Sequence, residues 1–196
     1  TKTISSVSES KPEDFYYDQL SYGNVDRANL TMEDLKSNTV NIETTYNTYG
    51  LPLTKKDPKD TTAVSLTYDT NNLFVTTTTD ALSRKTVTKY DPATGQLLYS
   101  RDPNGYQEKN TYDAFGRLTK KEVSDATNVT TLNTKQEITY QDTTFPNYTE
   151  VKDYFKSGSY TTSREYYDGL GRVIQSDKSD VSGQYIVSYK QYDSQG

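Results

Sequence analysis

The sequence predicts an all-β protein made of antiparallel β-hairpin repeats, and three observations carry that prediction. Tyrosines recur at a fixed spacing of 22 residues, at Tyr46, Tyr68, Tyr90 and Tyr112, which marks a repeat architecture. The composition favours strands, because 31 Thr and 19 Tyr in 196 residues suit a pleated, half-buried surface. Turn residues punctuate the chain so regularly that each 22-residue unit divides into two strands of about six or seven residues joined by tight turns, an antiparallel meander.

Taken in order, residues 1–37 read as a degenerate repeat or irregular lead-in, with Tyr17-Asp18 and Tyr22-Gly23-Asn24 as traces of the unit. The segment Thr31-Met32-Glu33-Asp34-Leu35-Lys36-Ser37 fits one helical turn with Thr31 as N-cap and acids in the first turn, or a loop. Residues 38–123 hold the regular repeats, with turns predicted near 47–50, 57–60, 69–72, 80–84, 91–95, 102–105 and 113–116. Asp102-Pro103-Asn104-Gly105 is the clearest turn. Asp accepts local N–H groups there, Pro presets φ and Gly takes a left-handed exit. Because each unit is two strands, equivalent tyrosines fall on every second strand and face the same way. Residues 124–166 loosen the period and predict a longer hairpin with a loop, with strand-like runs at 133–140, 148–155 and 160–167. Residues 167–196 read as further repeats, with runs at 172–176 and 184–192, and Tyr192-Asp193 opens another unit of what reads as a longer polypeptide. There is no linker rich in Gly or Pro.

Composition excludes several chemistries. Apolar residues are 31% of the chain, well under the ~45–50% of ordinary globular chains, so a thick core is not expected. Disorder is disfavoured by the abundance of aromatic and β-branched residues. With no Cys and no His, there is no thiolate, no disulfide, no usual general base and no imidazole metal ligand. No cofactor and no metal is expected. A net charge of −5 gives no basic footprint, so nucleic acid is not an expected partner. No apolar run approaches the ~20 residues of a membrane span, and residues 1–10 lack the regions of a signal peptide.

The tyrosine is usually part of a longer motif. Tyr-Asp recurs at Tyr17, Tyr68, Tyr90, Tyr112, Tyr167 and Tyr192, and Tyr112-Asp113-Ala-Phe-Gly116-Arg117-Leu118 is closely repeated at Tyr167-Asp168-Gly-Leu-Gly171-Arg172-Val173. The structural motif residues are Tyr46, Gly50, Tyr68, Asp69, Tyr90, Asp91, Gly95, Asp102, Gly105, Tyr112, Asp113, Gly116, Arg117, Tyr167, Asp168, Gly171, Arg172, Tyr192 and Asp193. Each has a local role: Tyr ends a strand, Asp opens the turn, Gly takes positive φ, and Arg begins the returning strand within reach of a carboxylate. No catalytic residue is singled out. Accidental carboxylate pairs are plentiful among 27 acids, and Asp177–Gly183 lacks the spaced ligands and closing Glu of a calcium loop. Three Asn-x-Thr sequons, at Asn29, Asn128 and Asn147, match the number that composition alone supplies.

With Asp-Pro-x-Gly at residues 102–105 and the 22-residue period, the Tyr-Asp-x-x-Gly-Arg pattern resembles the YD-repeat, or RHS-repeat, family of bacterial toxin-complex B and C components, polymorphic toxins and teneurins. The likeness covers about residues 38–123 and 160–196. Departures are Asn47 for Asp, Asn72 for Gly, and Leu51, Leu73 and Gln96 where Arg is expected. The resemblance implies a β-hairpin strip that spirals into a hollow shell. It also implies a non-enzymatic structural role enclosing a toxin or similar polypeptide, in a large secreted or surface protein. Implied partners are the rest of the parent polypeptide and its cargo, with other toxin-complex subunits or surface glycans beside them. The family's core segment for aspartyl autoproteolysis is not recognisable in this sequence. The alternative is a Tyr-rich adhesion repeat binding carbohydrate or protein; a carboxylate glycosidase would need two convergent acids in a cleft.

Overall fold

The computed structural model describes residues 14–21, 24–34, 41–59, 62–125, 127–156 and 158–193. Residues 1–13, Tyr22-Gly23, residues 35–40, 60–61, 126, 157 and 194–196 lie outside the described residues, and with them parts of the expected lead-in unit, the helical turn and the 57–60 turn. Fifteen strands follow one another: β1 (Asp14–Tyr17), β2 (Leu30–Asp34), β3 (Asn41–Tyr46), β4 (Pro52–Lys56), β5 (Val64–Tyr68), β6 (Val75–Thr79), β7 (Lys85–Tyr90), β8 (Leu97–Arg101), β9 (Gln107–Tyr112), β10 (Leu118–Ser124), β11 (Leu132–Gln141), β12 (Asn147–Lys156), β13 (Ser159–Tyr167), β14 (Val173–Ser179) and β15 (Tyr185–Tyr189). They hydrogen-bond in chain order, β1 to β15, in one sheet. Described pairings are antiparallel, and no helix occurs among the described residues.

The chain clusters into two units, Thr1–Thr88 and Lys89–Gly196, a division that falls inside β7. In the first unit, Thr31 to Asp34 belong to strand β2, which corrects the expectation of a helical turn or loop. The cap-like order of Thr, Glu and Asp is a local signal only. The backbone of β2 instead pairs with β1 (Tyr16 opposite Met32) and with β3 (Met32 opposite Glu43), and that tertiary ladder decides. In the second unit, the lengthened period goes partly into β11 and β12, which run ten residues each. It also goes into the loop between β10 and β11, closed by the Asp125 N–H on the Thr131 carbonyl.

No apolar side chain among the described residues is buried; the buried groups are Asp34, Ser124, Thr162, Asp177 and Ser179. Cohesion therefore comes from the ladder and from cross-strand aromatic pairs. Examples are Tyr148 with Tyr166, ring centroids 5.5 Å apart, and Tyr154 with Tyr160 at 5.1 Å.

Candidate functional site

The repeated feature that chemistry could use is the row of turns opened by Asp, those at one end of the strands preceded by a strand-ending Tyr. At Asp113, Oδ1 accepts the N–H groups of Phe115 and Arg117, both at 2.9 Å, and Oδ2 takes Arg117 Nε at 2.8 Å. Asp168 repeats this with Leu170, Arg172 and the Arg172 guanidinium, and so does Asp80 with Leu82 and Arg84. Asp102 accepts from Asn104 and Tyr106, Asp69 from Leu73 and Phe74, and Asp91 from Ala93 and Thr94. Where Asn47 replaces Asp, its Oδ1 accepts from Tyr49 and Leu51 in the same way. The carboxamide keeps the acceptor and gives up only the charge.

These hydrogen bonds set the carboxylates' chemistry. The Arg172 backbone N–H, more than any other group, holds Asp168 below the usual carboxylate range, against the opposing push of burial. At Asp91 the backbone N–H of Thr94 leads the same downward shift. Such carboxylates are committed acceptors, poorly suited to take up a proton near neutrality. Among the described residues, no group of three or more acidic side chains is placed to hold a metal ion.

Each turn leaves through a left-handed residue. Gly50, Gly95, Gly105, Gly116 and Gly171 have positive φ, and at Asn72 the φ is 55°. Asn tolerates that region because its short polar side chain bonds locally. Gly116 answers a second need, since a Cβ there would stand 2.9 Å from Gln96 Nε2.

The tyrosines link successive hairpins. Tyr46 donates its hydroxyl to the Leu30 carbonyl (2.9 Å), Tyr68 to Pro52 (2.8 Å), Tyr112 to Leu97 (3.0 Å) and Tyr192 to Val173 (2.8 Å). For Tyr46, Tyr68 and Tyr112 the acceptor opens the strand preceding the tyrosine's own, and for Tyr192, just past β15, it opens β14. Tyr-Asp is thus a joint: Asp closes its own turn while Tyr fastens the base of the previous one. Register shifts beside Tyr46 and Tyr68 accompany the joint, a bulge that re-aims the side chain. Arg completes the link forward: Arg117 Cζ stands 4.1 Å from the centroid of Tyr140, and Arg172 Cζ stands 4.5 Å from that of Tyr192. Neighbouring turns also touch directly, through Asn47 Nδ2 on Asn72 Oδ1 (3.1 Å) and Gln96 Nε2 on the Gly116 carbonyl.

Tyr90 is half-buried at the end of β7. The Tyr167 hydroxyl turns to Glu165 Oε2 on its own strand (3.1 Å). Asp193 follows Tyr192 at the end of the described residues. Sequence reasoning missed Tyr140, whose hydroxyl reaches the Leu118 carbonyl (3.1 Å) as a full member of the row. Gln141 follows it, so the dipeptide signal is lost; its position midway between Tyr112 and Tyr167 was the available clue. Asp125 and Asp180, which open turns at the other ends of the strands, were also missed; Asp80 opens the turn expected at 80–84, and Asp18 of the Tyr17-Asp18 trace gathers the N–H groups of residues 26–29.

Comparison with solved structures places this geometry. The chain is similar to the crystal structure of TcdB2-TccC3, with 19% identity and a TM-score of 0.54, over 79% of this chain and 10% of that one. This is the RHS/YD-repeat fold. A second likeness is to TcdB2-TccC3 without its hypervariable C-terminal region, with 16% identity, a TM-score of 0.53, and coverage of 79% of this chain and 13% of that one. A third is to TcdB2-TccC3-Cdc42, with 16% identity, a TM-score of 0.50, and coverage of 70% and 11%. The present chain therefore spans about a tenth of the length of these RHS/YD-repeat structures. No family model matches, and no curated protein matches.

Proposed function

We propose that this segment is a non-enzymatic piece of a YD-repeat shell that encloses a toxin or similar polypeptide within a large secreted or surface protein. The observation that carries the reading is the row of joints, in which motif Tyr, Asp and Arg are spent on holding one hairpin to the next. A shell wall needs that cohesion and no free catalytic group, and the turn carboxylates are occupied by their own backbone N–H groups. The likeness to TcdB2-TccC3 supports the toxin setting. Partners on this reading are the remainder of the parent polypeptide, its cargo and other toxin-complex subunits.

Limited proteolysis of the complete polypeptide that carries this segment tests the proposal. Enclosure requires the cargo segment to resist cleavage in native buffer and to be cut once urea opens the wall. Rapid cleavage of that segment in the native protein would overturn it. The adhesion alternative draws on exposed rings outside the joints, Tyr49 and Tyr189, which are 74% and 73% exposed; saturable glycan binding abolished by their removal would favour it.

A further inference from the structure

Two buried serines occupy equivalent places in two hairpins, four strands apart, and differ in what their hydroxyl protons meet. Ser124 ends β10 and Ser179 ends β14; they are 5% and 7% exposed. Each Oγ accepts a backbone N–H from the preceding strand at 2.7 Å, from Gln107 and from Thr162 respectively. The turns that follow also begin alike, with Thr127 donating to Asp125 and Ser182 to Asp180 through both backbone and hydroxyl.

They then diverge. The first turn closes from Asp125 to Thr131 and the second from Asp180 to Gln184, so the first is two residues longer. The extra length folds Val129 back over the sheet. Its carbonyl takes the Ser124 hydroxyl proton (2.7 Å) and Gln107 Nε2 (2.9 Å). Its side chain lies against Gly105, where a Cβ would be 3.3 Å from Val129 Cγ2. The shorter second turn runs directly into β15, and among the described residues no carbonyl stands over Ser179 as Val129 stands over Ser124. In the corresponding place is an open groove of about 530 Å³, with Ser179, Glu150, Lys152 and Arg164 along it and the half-exposed rings of Tyr160 and Tyr185 at its walls.

We propose that this groove docks an extended peptide segment in the manner of Val129, a backbone carbonyl accepting from Ser179 Oγ and a small branched side chain packing between the two rings. The molecule thus contains the template of its own ligand. The charges agree with an uncharged peptide: Arg164 is paired with Glu150, Lys152 Nζ lies 3.7 Å from Glu150, and the same Nζ sits 5.4 Å over the Tyr160 ring. The groove is within the usual range of ligand sites, ~300–1,000 Å³. This inference rests on the internal comparison and does not depend on the shell reading.

The test uses the full 196-residue chain, isotopically labelled, and a blocked pentapeptide of the sequence Thr-Asn-Val-Thr-Thr that copies residues 127–131. Titration should shift the amide resonances of Thr162, Ser179 and Tyr185 together and saturably, and replacing the peptide's Val by Asp should abolish this. Ser179→Ala should weaken binding about three- to tenfold, the worth of one net hydrogen bond. Because Ser179 also supports the Thr162 N–H, Tyr185→Ala, which removes an exposed ring, is the second variant and should weaken binding without altering the fold. No shift in these residues at millimolar peptide would overturn the proposal. Shifts produced there by a neutral glucan oligosaccharide and not by the peptide would overturn it too, and would make the groove a sugar site.

Discussion

The guanidinium of Arg117 lies over the ring of Tyr140, 4.1 Å from its centroid, while its nitrogens hold Asp113 at 2.8 Å and Asp142 at 2.7 Å. One side chain thereby closes its own turn and grips the next repeat. A planar, forked cation is needed for both tasks, and Lys supplies neither plane nor fork. Arg117→Lys should lower the urea midpoint although the charge is kept, and Arg117→Met should lower it further. Equal midpoints for Arg117→Lys and the native chain would show that the stacked, bidentate geometry contributes nothing.

The tyrosine row makes a selective prediction about hydroxyl groups. Tyr112→Phe removes the bond to the Leu97 carbonyl and should cost about 0.5–1.5 kcal/mol. Tyr167→Phe should stay within about 0.5 kcal/mol, because that hydroxyl meets the side chains of Glu165 and Thr149 and, among the described residues, no strand-opening carbonyl. Paired urea titrations check this, and equal losses would deny that linking successive hairpins is what the hydroxyl does.

Two turn glycines separate backbone strain from crowding. Gly116 and Gly171 have φ of 81° and 77°, but a Cβ at Gly116 meets Gln96 Nε2 whereas one at Gly171 meets nothing within 4 Å. Gly171→Ala should cost more than about 1 kcal/mol from strain alone. Gly116→Ala should cost about 1 kcal/mol beyond that, since Gln96 must release the Gly116 carbonyl. Thermal or urea midpoints in the reverse order would contradict the turn-to-turn contact.

Acid should loosen the turns in a defined direction. Asp91, Asp113 and Asp168 all sit below the ordinary value near 3.8. A depressed folded pKa contributes stability that is fully present above the unfolded value and is lost as pH falls through the folded one. The urea midpoint should therefore hold from neutrality down toward pH 5 and decline below about pH 4. Asp168→Asn, which keeps the acceptor as Asn47 does, should make that decline shallower. An acid limb unchanged in Asp168→Asn would remove this carboxylate from the account.

Much of this was legible in the sequence because turn chemistry is local. Asp113 and Gly116 are three residues apart and announce their turn without help from the rest of the chain. What was not legible depends on distant partners. Thr31 to Asp34 carry a helix-start pattern, yet their strand exists because β1 and β3 flank it. Tyr140 occupies the row although Gln141 hides the motif, since only the reach of its hydroxyl to Leu118 defines membership. The return of Val129 to Gly105 leaves no sequence signal at all, because it joins a loop to a turn more than twenty residues earlier.

On this reading the tyrosine row holds the sheet together and is not a ligand surface. Tyr68→Ala and Tyr112→Ala test it most directly, one in each unit, with urea unfolding and glycan binding measured on the same samples. Each ring is half-buried and its hydroxyl bonds to the preceding hairpin, so each variant should lose about 2 kcal/mol, roughly half the cost of truncating a fully buried aromatic. Unchanged urea midpoints together with loss of a glycan-binding signal present in the native chain would contradict the account and make the row a binding face.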